Sequence, residues 1–167
     1  MVRELGLALL LTTALAAGPG AALASQSAAR VAIAGGGLSV EAPAQVGLPA
    51  VRLSGRAVTV AAPVGGIHVM DARAGSPGWT LVASADQPVD ARGKPMEARL
   101  TVVPEASTVP AGVRLGSGAV LDGPRSLAEA MPGYGSGSWS LTATIRMTVP
   151  PDAESGVYTT TLVITIA

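Results

Sequence analysis

From Trp139 to Val149 the chain alternates apolar and polar residues without a break. Trp139, Leu141, Ala143, Ile145, Met147 and Val149 fall on one side, and Ser140, Thr142, Thr144, Arg146 and Thr148 on the other. A period of two is that of a β-strand with one packed face and one wet face, as in an antiparallel sheet. Pro150-Pro151 ends the run, because proline has no N–H to give a ladder. A second run follows the turn at Asp152–Gly156. It sets Tyr158, Thr160, Leu162, Ile164 and Ile166 against Thr159, Thr161, Val163 and Thr165. Together the two runs predict a β-hairpin at the C-terminus.

Shorter alternations lie upstream: Trp79, Leu81 and Ala83; Met96, Ala98, Leu100 and Val102; Val58 and Val60; Ile67 and Val69; Leu38 and Val40; Val31 and Ile33. Gly35-Gly36-Gly37, Gly65-Gly66, Ser76-Pro77-Gly78, Arg92-Gly93 and Asp122-Gly123 punctuate them as turns. About eight or nine short strands at this spacing predict an all-β antiparallel sandwich of the Ig-like or Greek-key type rather than βαβ units. One stretch departs from the pattern. Pro124 to Met131 is rich in helix formers and lies between prolines, which predicts a short helical turn near residues 125–131. The sequence has no Phe, two Trp and two Tyr, so aliphatic side chains must build the core. Each contributes roughly 1.5–3 kcal/mol when fully buried.

The first residues read as an export signal. Arg3 is followed by an apolar run from Leu5 to Ala17, a Gly18-Pro19-Gly20 break and the small-x-small site Ala22-Leu23-Ala24. Cleavage is expected after Ala24, leaving residues 25–167 as one exported domain. The run falls short of the roughly 20 apolar residues of a membrane span, and no membrane span is expected after cleavage.

Several chemistries lack their residues. The chain has no Cys, so no disulfide framework and no thiol chemistry. With 11 Lys+Arg against 11 Asp+Glu it lacks the clustered cations that bind nucleic acid. His68 is the sole histidine, set between Ile67 and Val69 on an expected outer face, and no Gly-x-Ser-x-Gly elbow accompanies it. One histidine without cysteine cannot make a zinc site, and no Asp-x-Asp-x-Asp-Gly calcium loop is present. The carboxylates Asp71, Asp86, Asp90, Glu97 and Glu105 show no spacing that selects a glycosidase pair. No catalytic residue, metal or cofactor is expected.

One tripeptide pattern occurs twice, as Trp79-Thr80-Leu81 and Trp139-Ser140-Leu141. Within each, Trp and Leu share a strand face. Both pairs read first as core anchors. The alternative is an aromatic platform for a sugar ring or a partner, for which the amphipathic Trp ring is suited. The stretch from Val69 to Leu81, with Asp71, Arg73, Gly78, Trp79 and Leu81, resembles the first signature of the WxL domain of secreted Gram-positive surface proteins. Gly133-Tyr134-Gly135-Ser136-Gly137, the Thr-rich run to Pro150 and Gly156-Val157-Tyr158 are similar to that family's C-terminal part. The family's second Trp-x-Leu falls in the last strand, where this chain reads Thr161-Leu-Val-Ile-Thr165, so Trp139-Ser140-Leu141 is not equated with it.

The resemblance implies a secreted, non-enzymatic surface domain that binds the cell wall non-covalently through peptidoglycan, or is held by partner surface proteins. Trp79, Leu81, Asp71, Arg73, Trp139 and Tyr134 are then the candidate binding residues. Asp71 and Arg73, two positions apart, read first as a pair that stabilises a turn, the alternative being that Arg73 stacks on or pairs with a ligand near Trp79. Two other functions remain open. One is a fibre or coat subunit whose Ser25–Gly37 segment is donated to a neighbour as a strand. The other is a small carbohydrate-binding module.

Overall fold

A computed structural model of the protein describes residues 35–167. The signal read at 1–24, the strand expected at Val31 and Ile33, and most of the donor segment lie outside the described residues. Nine strands form: β1 (Leu38–Glu41), β2 (Val58–Asp71), β3 (Trp79–Ala85), β4 (Arg99–Glu105), β5 (Val113–Leu115), β6 (Ala119–Val120), β7 (Arg125–Ala130), β8 (Gly137–Val149) and β9 (Leu162–Ile166). They make two antiparallel sheets packed as a sandwich, one in the order β1-β2-β8-β4-β6 and the other β5-β7-β3-β9. From β3 onward, each strand lies in the sheet opposite its predecessor.

That alternation corrects the expected C-terminal hairpin. β8 pairs with β2 on one side and β4 on the other, so neither edge is left for β9, which pairs with β3 in the other sheet. The packed face of β8 is as the period predicts, with Leu141, Ala143, Ile145 and Val149 buried.

The helical turn expected near residues 125–131 is a strand, β7, paired with β5 and β3. Its register against β3 passes from Leu81↔Ala128 to Val82↔Ser126, so Leu127 is the extra residue of a bulge. Leu127 and Ala128 therefore both face the core, at 0% exposure. Two adjacent apolar residues break the period of two, and the Ala, Glu and Leu content then reads as helix. Burial between two neighbouring strands overrides that propensity.

Gly65-Gly66 is likewise not a turn between strands but a bulge inside β2, where the register shifts between Val64↔Ala143 and Ile67↔Leu141. Before it, Ala62 and Val64 are buried; after it, Ile67, Val69 and Asp71 are. The extra residue thus changes which parity faces inward.

Candidate functional site

The bulge decides what β2 delivers to its end. Without the parity change Met70 would point inward and Asp71 outward. As built, Met70 is 48% exposed and Asp71 only 1%. A buried carboxylate needs partners, and the 72–78 turn supplies them. Asp71 Oδ1 accepts the backbone N–H of Arg73 at 3.0 Å and its Nε–H at 2.9 Å, while Oδ2 accepts Nη2–H at 3.0 Å. The same Nη2 donates to the Gly78 carbonyl at 2.6 Å. This two-point pairing fixes the guanidinium as well as its charge. The Arg73 side-chain hydrogen bond, against the opposing effect of burial, holds the Asp71 carboxyl below the usual carboxylate range.

The clasped turn sets the entry of β3. Gly78 has φ +85°, and a Cβ there would stand 2.5 Å from the Ala130 carbonyl oxygen. Trp79 follows at 3% exposure, and its indole N–H donates to the Gly135 carbonyl at 2.9 Å. Its ring stacks on that of Trp139 across the sandwich, centroids 5.8 Å apart and planes inclined by 29°. Trp139 is half-buried, and its N–H donates to the Thr108 carbonyl at 3.0 Å. Leu81 is fully buried. Asp71, Arg73, Trp79, Leu81 and Trp139 are therefore brought together, with both indole N–H groups taken up by protein carbonyls. Trp79 presents no open ring face on which a sugar could stack.

Tyr134 stands differently. It is 47% exposed, and its ring lies over Gly112, where a Cβ would collide with it. The connection between β4 and β5 holds both aromatic neighbours, Trp139 through Thr108 and Tyr134 through Gly112. Val109 in the same connection and Met131 before Tyr134 are also partly exposed, at 41% and 38%. These two loops form the apolar, partly aromatic surface at the tryptophan end.

Thr108 and Gly112 carry no signal in the sequence, and Gly135 stands out there only as part of the glycine-rich run 133–137. Gly133, Gly135 and Gly137 all have left-handed φ angles, so the glycine-rich segment is a defined turn that aims the Gly135 carbonyl at Trp79. The spacing of the glycines was the available signal.

His68 lies on the exposed face of β2, opposite Glu41 on β1 and Ser140 on β8. Its Nδ1 and Ser140 Oγ are 2.8 Å apart. A serine and an imidazole within reach begin to resemble a nucleophile and its base. Here, however, no third group orients the imidazole: among the described residues its one side-chain hydrogen bond is the one to Ser140. The carboxylates do not converge either: Asp90 accepts the backbone N–H groups of Arg92 and Lys94, and Glu105 accepts from Thr144. Among the described residues no group of three or more His, Cys, Asp or Glu side chains is placed to hold a metal ion.

At the opposite end, beyond Ala85 and Val149, the sheets open around a cavity of about 1250 Å³ lined by Leu100, Met147 and Leu162 and by the 42–53 and 153–161 segments. Among the described residues no helix is long and apolar enough to cross a membrane.

No protein family, curated protein or solved structure matches the chain. Fold and site define its class as an all-β sandwich whose two sheets are tied at one end by an ion-paired turn and a tryptophan stack.

Proposed function

We propose that the chain is an exported, non-enzymatic surface module of WxL-like kind, held non-covalently on cell-wall polymer or on partner surface proteins. The observation that carries this reading is the corner at one end of the sandwich. Asp71, Arg73, Gly78, Trp79 and Leu81, the residues that resemble the WxL signature, act there as one folded unit. A signature so used supports a structural module rather than a catalyst. Contact with the wall or a partner then falls to the exposed loop surface around Tyr134, since Trp79 is shielded. Tyr presents a ring face and a hydroxyl, the combination that suits sugar and protein surfaces alike.

Co-sedimentation of the purified protein with peptidoglycan sacculi at low salt tests the proposal. Retention in the pellet, weakened by Tyr134→Ala with melting unchanged, is the expected result. A protein that stays wholly in the supernatant, and that captures no surface protein, contradicts it.

A further inference from the structure

Among the described residues β9 pairs on one side only, with β3. Thr80 and Ala167 exchange both backbone hydrogen bonds, at 2.7 and 3.1 Å. In an antiparallel ladder such exchanging pairs alternate with open ones. Thr161, Val163 and Thr165 therefore turn their backbone groups to β3, while Leu162, Ile164 and Ile166 turn theirs outward. Among the described residues no backbone group meets those three. Their side chains face the sandwich yet stay only half-buried, whereas Leu81 and Ala83 beside them on β3 are fully buried. On the outer face Val163 is 44% exposed.

Natural sheets guard such an edge with a charge, a proline, a bulge or a very short strand. The other edges here are guarded: β1 ends in Glu41, β5 has three residues with Arg114 at its centre, and β6 has two residues. Leu162–Ile166 has no charge, no proline and no bulge. An edge that pairs with its own copy about a two-fold axis meets itself in reverse, so any charge placed on it recurs across the seam. This edge carries none.

We propose that β9 pairs antiparallel with β9 of a second copy, centred on Ile164. In that register Leu162 faces Ile166 of the second copy and Ile164 faces its own counterpart, so every outward N–H and C=O is bonded. Val163 stands opposite Thr165 of the second copy on the outer face. The half-buried Leu162, Ile164 and Ile166 gain apolar neighbours across the seam, and the two four-stranded sheets become one. The pairing consumes the edge, so assembly stops at a dimer and does not continue as a fibre. It stands independently of the wall-binding proposal.

The test is sedimentation of the full chain across the micromolar range, with hydrogen exchange of the β9 amides. The wild type is expected to be a dimer in which the Leu162, Ile164 and Ile166 amides exchange slowly. Val163→Lys with Thr165→Lys gathers four ammonium groups at the seam and weakens the dimer by about a hundredfold or more. Val163→Lys with Thr165→Glu sets each Lys against a Glu of the second copy and keeps the dimer. Both side chains face solvent, so circular dichroism should be the same for all three proteins. A wild-type monomer at every concentration overturns the proposal, as does a dimer that survives the double-lysine change or leaves these amides in fast exchange. Slow exchange in a monomer also overturns it, because the edge would then be covered within one chain.

Discussion

Trp79 and Trp139 stack with ring centroids 5.8 Å apart although they belong to different sheets, Trp79 to β3 and Trp139 to β8. In a protein without Phe, this is the largest side-chain contact available to join the two layers. Each ring is also tied by its N–H to a loop carbonyl, Gly135 or Thr108. The stack therefore locates two loops as well as two sheets.

Removing either ring should destabilise the fold unequally. Trp79→Ala empties a buried site and is expected to cost about 3–5 kcal/mol. Trp139→Ala, at a half-buried site, should cost roughly half as much. The pair should be non-additive by about 0.5–1.5 kcal/mol, the coupling measured for aromatic pairs. Urea unfolding of both single variants and the double variant measures this; strict additivity would show that the rings are neighbours without being partners.

The Asp71–Arg73 pair predicts a pH dependence. The Asp71 carboxyl is held below its ordinary value by the Arg73 hydrogen bond. A carboxyl whose pKa is lower folded than unfolded adds stability above the unfolded value, near 4, and that stability fades as pH falls through the folded value. Wild-type stability should hold at pH 5–7 and decline below about pH 4. Asp71→Asn should be less stable at neutral pH by about 1–3 kcal/mol and show a shallower acid limb. Denaturant midpoints across pH 2–7 read both slopes.

Gly135 sits at φ +79°, and a Cβ there would lie 2.6 Å from Trp79 Nε1. Gly135→Ala should strain the backbone and push the indole off its carbonyl partner, costing about 1–3 kcal/mol. Tryptophan emission should shift to the red as Trp79 meets water. An unshifted spectrum with unchanged stability would show that the 133–137 turn yields without cost.

The sandwich was legible because long, regular alternation admits only a strand, and β8 was read with its correct packed face. What escaped was irregularity. The Gly65-Gly66 bulge made one strand look like two, and the Leu127 bulge made a strand look helical. Pairing across the sandwich is equally hidden: proximity in sequence suggested that β8 and β9 pair, yet the edges of β8 were already filled from β2 and β4. At the site, the composition named the residues but not their exposure. Whether Trp79 faced core or solvent depended on partners such as the Gly135 carbonyl, 56 residues away in the chain.

In the proposed reading the corner from Asp71 to Leu81 holds the fold and the exposed loops make the contacts. Melting temperature and sacculus co-sedimentation of Asp71→Ala, measured on one preparation, separate these two roles. The expected result is a lower melting temperature, a loss of about 1–3 kcal/mol for leaving the Arg73 backbone N–H and its partly exposed guanidinium without their acceptor, with binding by the folded protein retained. Unchanged melting with lost binding would contradict the account and make Asp71 a ligand-contacting residue.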